Sequence, residues 1–432
     1  MKTIKTDVLV CGGGCAGVAA ALASARNNVR TLVIERAGFL GGIITATGLP
    51  YFDGLMAKQQ GRRIIVRGIP LELAVLMGSA KPNARTGDDC RSDLLGKTSN
   101  ALRIPNVEEF KLLADRLITQ HGEMLTPLYH TMACDVERRG DRIAAVLVAN
   151  KDGLVRVEAK QVVDCTGDAD IAAWAGCPVE QLQPTMPMSL HFRIGNVRKN
   201  DAMKSAAREA LVAAHERGDL PAFYGPGLNF AFADDEAYIH AVRVPGNAVD
   251  AADLTRAEMQ GRRDAWTMFR AWKENVPGFE EAYFICSGPY IGIRETRRIQ
   301  GAYVLTADDL RARRSFDDAI ATGCWYLDVH PNSVTVGSAN RGGEFQPEPY
   351  DIPYRSLVPR SVSNLLVAGR CHSATAEAAS STRVTCTAMA MGQAAGTAAA
   401  LAVHAGSDMA ALDGTKVRST LAAQGAGPFS YA

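Results

Sequence analysis

The chain runs to 432 residues, more than one hydrophobic core usually supports, so two domains are expected. Its 47 basic and 46 acidic residues leave a net charge of +1, without the clustered positive charge that holds nucleic acid or an anionic membrane surface. At 47% hydrophobic and 22% charged residues, the composition is that of an ordinary globular protein.

The first predicted element is a β-α-β unit over Asp7 to Glu35. Val8, Leu9 and Val10 form a run of β-formers, which breaks at Gly12-x-Gly14-x-x-Gly17, continues as an Ala-rich helix and returns as an apolar strand closed by Glu35. The glycines serve a tight turn, close backbone approach to a pyrophosphate, and helix–sheet packing, while the helix N-terminus offers free N–H groups to phosphate. Glu35 stands where an acidic side chain accepts hydrogen bonds from a ribose hydroxyl. Gly41-Gly42 follows, a pair that lets backbone lie against a flat or charged group, with the hydroxyls of Thr45 and Thr47 nearby.

Residues 57–105 read as an excursion from the sheet, a lid or a subunit contact, around the short helical patch PLELAVLM. An amphipathic helix capped by Asn106 comes next, then a small antiparallel meander over about 124–160 with turns at Arg139-Gly140 and Asp152-Gly153. Val162-Val163 runs into Thr166-Gly167-Asp168 and a second Ala-rich helix, which Asp168 or Asp170 is expected to cap. The stretch from 186 to 341 departs from this pattern and reads as an inserted α+β domain. It carries His191 and Arg193, helices over 202–217 and 254–275, and a cluster of Arg294, Arg297 and Arg298 that local acids are expected to pair. Trp266, Phe269 and Trp272 fall at core spacing. The final stretch is a strand ending at Gly369-Arg370, a polar loop, and a long Ala-rich helix over about 385–403 with Gly392 and Gly396. No apolar run reaches the roughly 18 residues a membrane span needs. The ten cysteines show neither CxxC nor zinc-ligand spacing and read as reduced thiols of a cytoplasmic protein, with no metal site expected.

Glycine turns at the start, middle and end of one chain suggest a discontinuous nucleotide-binding domain, 1–185 with 342–432, interrupted by a substrate or cap domain at 186–341. A large, permanently held dinucleotide such as FAD suits that layout better than NAD. The sequence resembles the FAD-dependent oxidoreductase family within the glutathione-reductase-like flavoproteins, relatives of succinate dehydrogenase/fumarate reductase-type subunits. The resemblance rests on GGGCAGVAAALASAR with IER and FLGG, VVDCTGDADIAAWAG, GIRETRRIQGAYVLT, and NLLVAGRCHSATAEAASSTRVTCTAMAMGQAAGTAAALA. It implies an α/β fold, a Rossmann-like FAD-binding domain with an inserted α+β substrate domain.

By that resemblance Gly12, Gly14, Gly17, Glu35 and Arg36, with Cys15 and Ala16, hold the ADP part. Gly41, Gly42, Cys134, Thr166, Gly167, Asp168, Gly369, Arg370 and Cys371 line the rest, and the N-terminus of the last helix at Thr385 to Thr387 points at the flavin pyrimidine edge. His372, His191, Arg297 and Arg383 are the leading catalytic candidates, with Arg193, Tyr290, Arg294 and His330 behind them. His372 or Cys371 is also a candidate covalent tether. The expected activity is hydride transfer from a small oxygenated or carboxylated molecule to flavin N5, with oxygen, a quinone or a redox protein as acceptor. The alternatives are a monooxygenase using external NAD(P)H and a redox-neutral isomerase. No nucleic-acid partner and no membrane span are expected, and a homo-oligomer is compatible with the excursion at 57–105.

Overall fold

The computed structural model describes residues 1–58, 60–96, 101–330 and 345–426. Its centre is a seven-stranded sheet among these residues. β1 (Lys2–Cys11), β2 (Thr31–Ile34) and β3 (Leu125–Leu128) pair in parallel. β4 (Met132–Arg139), β5 (Arg142–Asn150) and β6 (Gly153–Asp164) form the expected meander, turning at Gly140 and Gly153, both at positive φ. β6 is shared along its length: its first half pairs antiparallel with β5, and its last three residues pair in parallel with the late strand Leu365–Val367. β1 runs along its other side, with Cys11 opposite both Ile34 and Asp164, and Val367 opposite Asp164. The carboxyl ends are therefore level, and the turns at Gly12, Gly167 and Gly369 leave from one edge, where open α/β sheets bind ligands.

Two helices cover the β1 region. α1 (Cys15–Arg26) is buried from Cys15 to Ala25, and it packs on the last long helix (Thr385–Ala405), which only the shorter α-helix Gly414–Ala423 follows among the described residues. That contact is backbone to backbone: a Cβ on Gly392 would stand 2.0 Å from Ala16 O, and one on Gly396 2.1 Å from Ala20 O. The last helix is long and apolar enough to cross a membrane by length and composition, contrary to the expectation from its sequence. However, 83% of its apolar window is buried inside the molecule, which is the condition of a core helix. The helix Val107–Thr119 forms with its predicted cap, Asn106 Oδ1 accepting from Glu108 N at 2.9 Å and Glu109 N at 3.4 Å. The patch PLELAVLM is helical over Ile69–Leu76 and lies on the last helix, Ile69 N donating to Gln393 Oε1 at 2.8 Å.

The second unit has its own core, including Phe192, Phe223, Trp272 and Phe279, and running from Met188 to Ile291. A four-stranded antiparallel sheet and the helices Met203–Glu216 and Ala251–Asn275 enclose it. Trp266 departs from the expected core stripe. It is 43% exposed and stacks at 4.5 Å on Phe284, while Phe269 and Trp272 face inward. The insertion also ends earlier than expected. Leu305, Leu310 and Ile320 belong to the first core, and the apolar strand Ala319–Gly323 finds its partner in Tyr350–Pro353. The expected boundary at 341–342 itself lies outside the described residues.

Candidate functional site

A single cavity of about 900 Å³ runs from the glycine turns of the first unit to the sheet of the second. At its first end the backbone has no room for side chains. Gly12 has φ +100°, and a Cβ there would meet Cys165 O at 2.5 Å; Gly42 has φ +55°, and a Cβ there would meet Gly14 Cα at 2.7 Å. Gly14 caps α1 without a side-chain hydrogen bond, and the first turn of α1 holds no acid, so its N–H groups are open to an anion. Glu35 is held by Gly13 N and Ala37 N, each at 2.8 Å, one to each carboxylate oxygen. Each oxygen keeps a lone pair for a hydroxyl donor.

The second turn is fixed by Asp164 rather than by the acids expected to cap its helix. Asp164 Oδ1 accepts from Thr166 N at 3.0 Å and Thr166 Oγ1 at 2.7 Å, and Oδ2 from Ala172 N at 3.1 Å. Asp168 instead binds Arg370 Nη2 and Thr296 Oγ1, each at 2.7 Å, which ties the second and third glycine turns to the chain returning from the insertion. The last helix, like α1, begins without a side-chain cap or a first-turn acid, and Val384, Thr385 and Ala388 stand on the cavity wall. Two uncapped helix N-termini thus open into one cavity, and a dinucleotide with a pyrophosphate and an electron-accepting ring fits that donor set.

The far end of the cavity is different in kind. His191, His240, Tyr238, Arg294, Asp328 and Arg383 converge there from five separate stretches of chain. Burial pushes His240 and His330 down to about 3 and His191 well below its ordinary value, so all three imidazoles are neutral. Tyr238 Oη lies 2.9 Å from His191 Nδ1. Burial alone would raise the Asp328 carboxyl; a hydrogen bond from His330 Nε2 at 3.1 Å and the Arg383 guanidinium at 2.8 Å hold it well below the carboxylate range.

Burial, followed by mutual repulsion with Arg243 and Arg383, lowers Arg294. Burial likewise lowers Arg243, just behind the wall, to about 10. Asp53 is the acid raised here: burial and the neighbouring Asp328 lift it to about 7 against the pull of Arg383. Its backbone is strapped to the last helix, Asp53 N donating to Thr385 Oγ1 at 2.8 Å and Cys386 N to Asp53 O at 3.0 Å.

Most of the expected cofactor residues line this cavity, among them Gly12, Gly14, Glu35, Arg36, Cys134 and Thr385. Gly17, Gly41, Cys371 and Thr387 do not. Gly17 is excluded because it seats α1 on the turn, a Cβ there meeting Gly12 O at 1.8 Å. Gly41 turns the backbone at φ +111°, Cys371 belongs to the apolar core under the sheet, and Thr387 is buried one turn into its helix.

Of the four catalytic candidates, His191 and Arg383 reach the far end. His372 does not: it is 0% exposed, bonded through Nε2 to Thr382 Oγ1 at 2.7 Å, and pushed by burial down to about 3. A tether or acid–base role for His372 or Cys371 is therefore set aside. Arg297 is spent on Asp170 and on Asp168 O at 2.9 Å, and Arg193 on Glu236, so these two guanidiniums brace the fold. Asp53, Asp328, His240 and Arg243 went unnoticed in the sequence. No spacing announces them, and Asp53 in YFDG reads as a turn residue.

The sequence matches the model of the FAD dependent oxidoreductase family over residues 7–421. Among solved structures, a geranylgeranyl bacteriochlorophyll reductase-like protein from Thermoplasma acidophilum is 15% identical at a TM-score of 0.50, covering 98% of this chain and 84% of that one. The flavin-dependent brominase Bmp2 is 13% identical at 0.47, covering 94% and 81%. p-Nitrophenol 4-monooxygenase from Pseudomonas putida DLL-E4 is 11% identical at 0.46, covering 96% and 83%. A comparison with curated proteins returns no match. The family match spans all three glycine turns and the returning chain, and the likeness to the Thermoplasma protein extends to the fold. This protein belongs to the FAD-dependent oxidoreductase family and is an FAD-binding enzyme.

Proposed function

We propose that the enzyme oxidises a small oxygenated or carboxylated molecule, passing a hydride to N5 of its FAD and the electrons onward to oxygen, a quinone or a redox protein. The observation that carries this reading is the continuity of the cavity: a side-chain-free groove at one end and a wall of ionisable groups at the other. Gly12, Gly14 and Gly42 would admit the pyrophosphate, Glu35 would take the ribose hydroxyls, and the N-terminus of the last helix would steady negative charge on the ring. Bound FAD supplies the hydride acceptor. The protein's part is to orient the substrate, exclude water and take its proton, and the groups at the far end are the ones suited to that work.

The purified protein is expected to be yellow, and anaerobic addition of the right alcohol, hydroxy acid or amino acid is expected to bleach the visible flavin band. Oxygen uptake driven by NAD(P)H and dependent on an aromatic substrate, without bleaching by any such substrate alone, would overturn the proposal in favour of a monooxygenase.

A further inference from the structure

Three guanidiniums, Arg243, Arg294 and Arg383, meet at the far end of the cavity, while Asp328 is the one carboxylate there held firmly ionised. Buried positive charge in excess of its partners is costly; Arg294 donates to Pro187 O and Ser189 Oγ, while Arg243 and Arg383 each keep a donor that nothing satisfies. Among the described residues, Arg383 Nε, Arg243 Nη2 and Trp325 Nε1 are buried without a hydrogen-bond partner. Arg383, Arg294 and Trp325 are on the cavity wall, and Arg243 stands behind it, stacked at 4.7 Å on the Tyr224 ring and donating to Ser189 Oγ at 2.7 Å. A planar anion with two oxygens would meet the donors on the wall, Arg383, Arg294 and Trp325, as carboxylates meet guanidinium forks. Asp53 lies within electrostatic reach of the same Arg383 and is fixed to the helix N-terminus that opens into the cavity.

We propose, resting on the hydride-transfer reading above, that the chamber takes a substrate bearing a carboxylate, gripped by Arg383 and Arg294, and that Asp53 accepts the proton released on oxidation. For a 2-hydroxy acid the C–H bond breaks and its electron pair leaves with the hydrogen to FAD. The O–H bond breaks, its proton passes to the Asp53 carboxylate, and the C–O bond becomes C=O. Two electrons leave the substrate and two enter FAD.

Asp53 feels the charges of Asp328 and Arg383, and its own charge is felt by Tyr51, Tyr238, Tyr326, Cys15 and Cys386, whose values lie far above neutrality. Asp170, at the other end of the cavity, is raised by burial and by Asp168 and Asp164 to about 6. A variant of Asp53 is therefore needed to assign any pH effect.

The test is a titration of the purified holoenzyme with acetate, its neutral analogue acetamide, and sulfate, read by the flavin visible spectrum and by Tm. Acetate is expected to bind at least about tenfold tighter than acetamide, with Arg383→Gln weakening it at least about tenfold and Arg383→Lys restoring part of the loss, each fold-change of ten being about 1.4 kcal/mol. Acetate affinity is expected to fall as pH rises from about 6 to 8.5, because ionised Asp53 repels a second anion, and Asp53→Asn is expected to flatten that slope. FAD content and Tm of each variant report folding. If Arg383→Gln loses FAD, Arg294→Gln and the acetate–acetamide contrast in the unaltered enzyme decide.

Equal binding of acetate and acetamide, sulfate binding without acetate binding, or an unchanged slope in Asp53→Asn overturns the proposal. A holoenzyme blind to acetate yet bleached by a neutral alcohol overturns this inference alone. One that binds acetate but is bleached by no substrate overturns the hydride-transfer reading instead.

Discussion

A single carboxyl, Asp53, carries the sharpest residue-scale expectation, since folding raises it from an ordinary acidic value to about 7. Between about pH 4 and pH 7 the native state holds a proton that the unfolded chain has released, so this group makes stability fall as pH rises through that window. Asp53→Asn is expected to leave stability nearly unchanged near pH 4 and to raise it at pH 8 by on the order of 1–3 kcal/mol, after allowing for water in the cavity. Denaturant midpoints at the two pH values measure this, and an equal change at both would contradict it. Nothing in the sequence marked Asp53, because its setting comes from burial beside Asp328 and Arg383, and its backbone is fixed by Thr385, 332 residues later in the chain. The opposite happened at His372. Its adjacency to Gly369-Arg370 suggested a place beside the reactive ring, yet the chain turns it inward to Thr382.

At the scale of elements, the crossing of α1 with the last helix holds the cofactor end of the cavity in shape. Gly392 and Gly396 bring the two backbones together, and the N-terminus of each helix opens into the cavity. Gly396→Leu should drive its side chain into the Ala20 carbonyl and part the helices, at a cost of at least about 3 kcal/mol, above the usual penalty of overpacking because the obstacle is backbone. Thermal denaturation and FAD content measure it, with loss of both expected together; full FAD retention would mean that the helices part without disturbing the groove. The small-residue pattern of both helices was legible in the sequence, whereas their pairing was not, since an Ala-rich face packs equally well in several registers until glycines are matched in three dimensions.

At the scale of the whole molecule, the enzyme depends on the seating of the second unit on the first. Gly288 lies against the Thr47 backbone, where a Cβ would meet Thr47 Cα at 2.7 Å. Tyr290 N donates to Ala46 O at 3.1 Å, and Arg370 Nη1 to Ile293 O at 2.6 Å. Gly288→Val is expected to lift this joint while the glycine turns and α1, which belong to the first unit, continue to hold FAD. The readout is iodide quenching of flavin fluorescence, which should increase with FAD content retained; unchanged quenching would show that the joint does not shield the ring. The order of the sheet edge was legible because a parallel strand followed by a glycine turn and helix has few alternatives. The end of the insertion was not, since Ala319–Gly323 is an apolar run whose partner strand is chosen only by the packed fold.

The sequence by itself determined the cofactor end of this protein. Backbone that must approach a pyrophosphate excludes side chains, so glycines at fixed spacing between strand and helix record the requirement locally. Only the tertiary structure decided the far end of the cavity. Asp53, His191, Arg294, Asp328 and Arg383 each have an ordinary local setting. Their chemistry arises from shared burial, which together with neighbouring charges shifts Asp53, His191, Arg294 and Asp328 across distances that no sequence spacing encodes.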